Sequence, residues 1–446
     1  MVAGAALYRR LALQCPEMRL AVIAVCAAGV ASAQPMPARV RSVVAATRAR
    51  EAADGGRLWK RRLDEIPFLF VVDKRMLATA DPKVAGFVAE GGLWSGALPK
   101  AMAPANTSVD WAGRRWAMVM LPLPDDDADA IRLLIHEAWH VVQPAVLPLP
   151  PFEQNGAGSA LLDGPEGRLW LQLEWRALAA ALTTGGRAQA EKIRDALVFR
   201  QKRFAIATAD ERRRETLFDL YEGLAEYTGW KLSNGTPRQF AATILRDAPT
   251  RPSFVRSFPY FTGPAYAWLL DQRSPTWIAK LKQQPDLQTL LAATLPADLP
   301  IDPTQAEKAG RAYAIDELRQ SEAARWQKRQ RRLAELRSRF VDGATLRLRP
   351  HDLRISFDPR DQTPLGDAGT IMANLQWKSD AGGDLHAVDG ALVTPDWKEL
   401  RVPLGDATLS AGRLTQPLHL TQPGWTLTLP AGWHLQKQSA SWLATP

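Results

Sequence analysis

Residues 125–144 read DDDADAIRLLIHEAWHVVQP. Ile131, Leu134, Ile135, Ala138 and Val142 recur at helical spacing, so the segment is expected to be an amphipathic helix. Asp125, Asp126 and Asp127 supply carboxylates for the free N–H groups and the dipole at its start, and Pro144 is expected to end it. Inside lies His136-Glu137-Ala138-Trp139-His140, an HExxH pattern. Histidines four apart share a helix face, so two imidazoles can reach one metal ion. The glutamate beside the first can then hold and deprotonate a water on that metal. The chain has six histidines, and the other four (His351, His386, His419, His434) all lie beyond residue 350. The only two histidines before them are thus four apart with Glu137 in the required place.

Upstream, residues 38–62 look helical. Strands are expected at 67–72 and, from Trp116 to Leu121, ahead of Pro122 and Pro124, with a hairpin or loop around 89–98. The second strand is expected to be an edge along which a peptide could lie. Downstream, a Pro- and Gly-rich connection fills 144–167. Helical patterns resume at 168–183, 187–205 and 211–232, and Gly263-Pro264 is expected to open another helix. Residues 295–303 read as a linker and 304–340 as a long basic helix. From Thr345 onward the period changes to two, predicting a small β-sandwich or barrel over 341–446. The fold class is therefore α+β: a mostly α-helical domain with a small mixed N-terminal sheet over 34–294, then an all-β domain.

Composition agrees with a globular protein of more than one domain: 446 residues, 46% hydrophobic and 23% charged. The net charge is +9, and residues 304–340 supply +5 of it, ten Lys/Arg against five Asp/Glu. Tyr313, Trp326, Leu333 and Phe340 are expected on the buried side of that helix, which makes its charges a solvated face, open to envelope contact. No nucleic-acid-binding motif accompanies them.

The N-terminus reads as an export signal: Met18-Arg19, an apolar run from Leu20 to Val30, then Ala31-Ser32-Ala33 as a small-residue cleavage site. The run is too short for a stable membrane span. Cleavage after Ala33 would remove both cysteines, Cys15 and Cys26, leaving no disulfide or thiolate ligand in a periplasmic or secreted chain.

With no further His or Cys in the α-rich region, a third metal ligand there should be a carboxylate. Leu220-Tyr221-Glu222-Gly223-Leu224-Ala225-Glu226-Tyr227 lies on a later helix. At this point the chain resembles the gluzincins, the thermolysin-like and aminopeptidase-N-like zinc metallopeptidases of zincin-like fold. The resemblance covers roughly residues 115–270. It implies a single zinc ion held by His136, His140 and Glu222, with Glu226 supporting a histidine ligand and Glu137 as the base. It also implies a tyrosine or histidine after the glutamate helix as oxyanion donor; Tyr260 and Tyr266 are available, and Tyr266 is selected because it falls in the first turn of the helix expected at Pro264. Two features depart from the family. His140 and Glu222 are 82 positions apart, which implies a helical insertion, and the Gly-x-Met-Glu-Asn aminopeptidase signature is absent. Glu174, an acid among bulky apolar residues, competes as a ligand, with pairing to Arg200 or Arg203 as its other fate. The expected function is an exported zinc peptidase acting on peptides or proteins. The rival is a non-catalytic binding or scaffold protein, against which an intact Glu137 argues.

Overall fold

A computed structural model of the chain describes residues 36–99, 102–150, 160–351, 353–357, 362–380 and 382–446. The expected export signal and both cysteines lie outside these residues. The described residues form a mixed α and β structure in two compact units, the first ending at Leu318 and the second running Arg319–Pro446. Among them, no helix is long and apolar enough to cross a membrane.

The first unit opens with α1 (Met36–Asp54). It stops short of residue 62 because Gly55 and Gly56 both take positive φ, a conformation that suits glycine and unwinds a helix. Six strands follow: β1 (Phe68–Val72), β2 (Arg75–Ala78), β3 (Val88–Glu90), β4 (Leu93–Ala97), β5 (Thr107–Trp111) and β6 (Arg114–Met120), in the order β3-β4-β2-β1-β6-β5. β1 and β6 pair in parallel and the remaining pairs are antiparallel, so the sheet is mixed. β1 and β6 are apolar throughout their centres because both faces are covered. Phe68, Phe70, Ala117 and Val119 pack with α1 and the HExxH helix, while Leu69, Val71, Trp116 and Met118 form a cluster with Met76 and Ala78. The expectation that Trp116–Leu121 is an edge is therefore corrected. β6 lies between β1 and β5, and the edge strand on that side of the sheet is β5.

The HExxH helix is α2 (Asp127–Val146), capped by Asp126, whose side chain accepts from the Asp129 N–H. It continues past Pro144, which only removes a bond to the His140 carbonyl in the last turn. α3 (Pro165–Leu182), α4 (Gly186–Ala205) and α5 (Ala209–Phe218) follow. The stretch expected as one helix over 211–232 is broken by a π-helical turn, Asp219–Gly223, before α6 (Leu224–Leu232). α7 (Pro237–Asp247) and α8 (Pro259–Arg273) complete the part that bears on the site. Pro264 sits inside α8 rather than opening it, so Tyr266 is a mid-helix residue. One core, containing Trp139, Trp175, Tyr227, Phe261 and Tyr266, joins these helices.

Residues 295–303 are not a linker. Leu299 is buried, Leu295 and Ile301 pack on the first unit's core, and Asp298 pairs with Arg187 at 2.7 Å. The basic stretch is also not one helix: Ala314 takes a left-handed conformation (φ 57°), and the long helix runs Ile315–Arg337. Tyr313 and Phe340 are buried, whereas Trp326 and Leu333 are half-buried. In the second unit an eight-stranded and a five-stranded sheet share a core. Leu346, Leu348 and Val402 come from one sheet, and Trp377, Leu385 and Leu427 from the other.

Candidate metal centre

α2 presents His136 and His140 from consecutive turns, and the π-turn brings Glu222 against them. All three side chains are buried, with residue exposures of 5%, 5% and 8%. The two Nε2 atoms are 3.1 Å apart. Glu222 Oε2 lies 3.3 Å from His136 Nε2 and 3.5 Å from His140 Nε2. These atoms form a near-equilateral triangle. Ligand atoms about 2.0–2.1 Å from a tetrahedral ion are about 3.3–3.4 Å apart, so the triangle fits one face of such a shell.

The protonation pattern supports the same reading. His136 Nδ1 is 3.2 Å from Glu226 Oε2, a carboxylate that can only accept, so Nδ1 carries the proton in the neutral ring. His140 Nδ1 is 3.1 Å from Gln143 Oε1. The Gln143 amide is oriented by its NH2 group, which donates to the Leu220 and Tyr221 carbonyls at 3.0 and 3.2 Å. Both Nε2 lone pairs therefore face each other and a carboxylate oxygen. Three acceptors converging in a buried site require a positive charge between them. Without a cation the chain supplies one as a proton. Burial opposes charge on His136, but hydrogen bonds to Glu222 and Glu226 outweigh it and push the imidazole well above its ordinary pKa. Burial likewise opposes ionisation of Glu222, yet hydrogen bonds from His136 and His140 hold it below the usual carboxylate range. The buried group His136, His140 and Glu222 could hold a metal ion.

Around this triangle lies a cavity of about 330 Å³. Its walls include Asn106 and Thr107 at the start of β5, Arg132, Glu137, Tyr221 and Tyr260. Glu137 is buried, and its Oε2 has no hydrogen-bond partner among the described residues; burial raises its pKa, against the attraction of His136 and His140. The Tyr260 hydroxyl donates to Glu222 Oε2 at 2.9 Å, and its ring stacks on His136 with centroids 5.8 Å apart. Tyr221 stacks on His140 at 4.9 Å. Glu226 also accepts from Trp230 Nε1 at 2.9 Å, which fixes the carboxylate that orients His136.

Close backbone approach places Glu222. A Cβ on Gly223 would meet the Gly263 Cα at 2.7 Å and the Pro259 carbonyl at 3.0 Å. The π-turn and α8 thus touch backbone to backbone, and Tyr260 is delivered beside Glu222.

Tyr266 is corrected as the oxyanion donor. It is fully buried and its hydroxyl donates to Glu174 at 2.8 Å, apart from the cavity, because α8 begins five residues earlier than expected and turns Tyr260 toward the site. Glu174 binds no ligand atom of the cluster. It accepts from Arg200 at 3.2 Å and Arg203 at 2.6 Å, so it takes both arginines as partners. Gln143 and the edge position of β5 were missed in the sequence. The spacing of Gln143, three residues after His140 on the same helix face, was the available signal. Comparison with protein-family models, curated proteins and solved structures finds no match.

Proposed function

We propose that the protein is a zinc-dependent peptidase of gluzincin type and zincin-like fold, exported by the signal at residues 18–33. The observation that carries this reading is the convergence of three lone-pair donors beside a buried carboxylate, Glu137, whose Oε2 has no hydrogen-bond partner among the described residues. His, His and carboxylate is a catalytic rather than a structural zinc set, because three protein ligands leave a position open. Zinc in such a site supplies Lewis acidity toward a carbonyl oxygen and activates water. Glu137 is the general base: its free Oε2 takes the proton of the attacking water and passes it to the leaving amine. Tyr260, rather than Tyr266, donates to the oxyanion, since its hydroxyl already stands at Glu222 Oε2 on the cavity wall. Glu226 and Gln143 hold the imidazole rings in the tautomer that presents Nε2.

A peptide substrate is favoured by β5. It is the sheet edge nearest the cavity, and Thr107 belongs to both. An extended chain adding to that edge passes its backbone across Glu137 and the histidines. The second unit and the exposed cations of Ile315–Arg337 serve as accessory surface for substrate or envelope contact. Incubating the zinc-loaded protein with a peptide library, beside Glu137→Gln, tests the proposal. Cleavage by the first and none by the second is expected. A chain that binds zinc but cleaves no member leaves the binding-protein reading in its place. Mature protein should begin at Gln34 by N-terminal sequencing.

A further inference from the structure

We propose that Gln143 is a positioning residue that locks the metal-binding helix to the π-turn, so that one amide sets both His140 and the turn that carries Glu222. The inference rests on the metal reading above and adds a residue to it. Gln143 is 2% exposed and spends both ends of its amide. Oε1 faces His140 Nδ1 at 3.1 Å, and Nε2 reaches Leu220 O at 3.0 Å and Tyr221 O at 3.2 Å.

Those two carbonyls belong to the π-turn Asp219–Gly223. A π-turn widens the helix and leaves backbone carbonyls without their usual helical donors, and a buried carbonyl needs a donor. Gln143 provides it from a different helix. One end of the amide therefore fixes the His140 tautomer, while the other fixes the turn from which Glu222 reaches the same point. Below the turn, Asp219 is held by Arg200 and by the Thr262 hydroxyl, so the turn is gripped from both sides. Glutamine is suited to this because it alone among side chains of that length offers an acceptor and two donors in one rigid plane.

Gln143→Met keeps length and flexibility and removes both ends of the bridge. Two readouts on the full chain test the role. In the metal-free protein, hydrogen exchange over 219–227 should accelerate while exchange in β1 and β6 stays unchanged. In the metal-loaded protein, zinc affinity by chelator competition should fall about 10–100-fold, as for other outer partners of metal ligands, and the visible spectrum of the cobalt-substituted chain should shift. If Gln143→Met does not fold, Gln143→Glu serves. It keeps an acceptor for His140 but turns an oxygen toward the two carbonyls, so exchange over 219–227 should again rise. Unchanged local exchange overturns the proposal, as does a uniform rise across the chain, which marks a general stability role. Wild type that takes up no zinc overturns the metal reading alone; local exchange still decides the clamp.

Discussion

Two buried clusters sit within the same helices and show opposite electrostatic logic. In the first, Glu174, Glu215 and Asp219 meet Arg200 and Arg203 in a set of ion pairs whose side chains are at most 4% exposed. Every acid there has an internal cation; Tyr266 also donates to Glu174 Oε1 and Thr262 to Asp219 Oδ1, while Glu215 Oε1 has no hydrogen-bond partner among the described residues. In the second, His136, His140 and Glu222 converge with no arginine or lysine among them, beside Glu137, whose Oε2 has no hydrogen-bond partner among the described residues. A buried acid with its cation supplied by the chain is committed to holding helices together. A buried acceptor set without one is arranged for something from outside.

The sharpest break of this contrast is removal of a ligand. His136→Ala or His140→Ala should abolish zinc uptake measured by metal analysis, and Glu222→Ala should weaken it far more than Glu226→Ala does. Full occupancy in the histidine variants would dissolve the distinction between the clusters. Next, Glu137→Gln should retain zinc and lose about 10²–10⁴-fold in peptide turnover, the usual worth of a positioned general base.

The ionic cluster should answer differently. Glu174→Ala takes one acceptor from each of two buried arginines, which keep Asp219 and Glu215, so chemical denaturation should show a loss of about 3 kcal/mol with zinc still bound. The two tyrosines sharpen the point: Tyr260→Phe should cost about 10²–10³-fold in kcat. Tyr266→Phe should cost about 1–3 kcal/mol of stability by removing a buried hydrogen bond and leave turnover per folded molecule as it was.

The smallest effect comes from an acid between the two cases. Among the described residues Glu51 has one ion-pair partner, Arg48 at 2.9 Å, and its Oε1 has no hydrogen-bond partner. Burial pushes its carboxyl from 4.5 up to about 7, against the pull of Arg48. Between those values the folded chain keeps a proton that the unfolded chain has lost, so stability falls as pH rises. The penalty is absent below the lower value and complete above the higher. Glu51→Gln should therefore stabilise the protein on the order of 2 kcal/mol at pH 8 and change little at pH 4, read from melting curves at both.

The local chemistry of the site was legible in the sequence wherever it depended on residues close together. The amphipathic pattern of 125–144 and the four-residue spacing of His136 and His140 placed two imidazoles on one face. The shift to period two after Thr345 marked the strands of the second unit, and the position of Glu174 among apolar residues announced a buried acid with arginines as partners. Helix ends were less legible, because Pro144 and Pro264 weaken a helix locally but packing carried α2 and α8 through them. That shift of α8 exchanged Tyr266 for Tyr260 at the site.

What only the tertiary structure decided has a common physical cause: it depends on groups distant in the chain approaching closely. The sheet order made β5 the edge, since strand pairing is set by contacts between segments and not by the pattern within one. The π-turn at Asp219–Gly223 has no periodic signature. It persists because Gly223 and Gly263 let two backbones touch, and because Gln143, Arg200 and Thr262 satisfy its polar groups from other helices. The histidines were determined by sequence alone, and the point in space where Glu222 meets them by the fold.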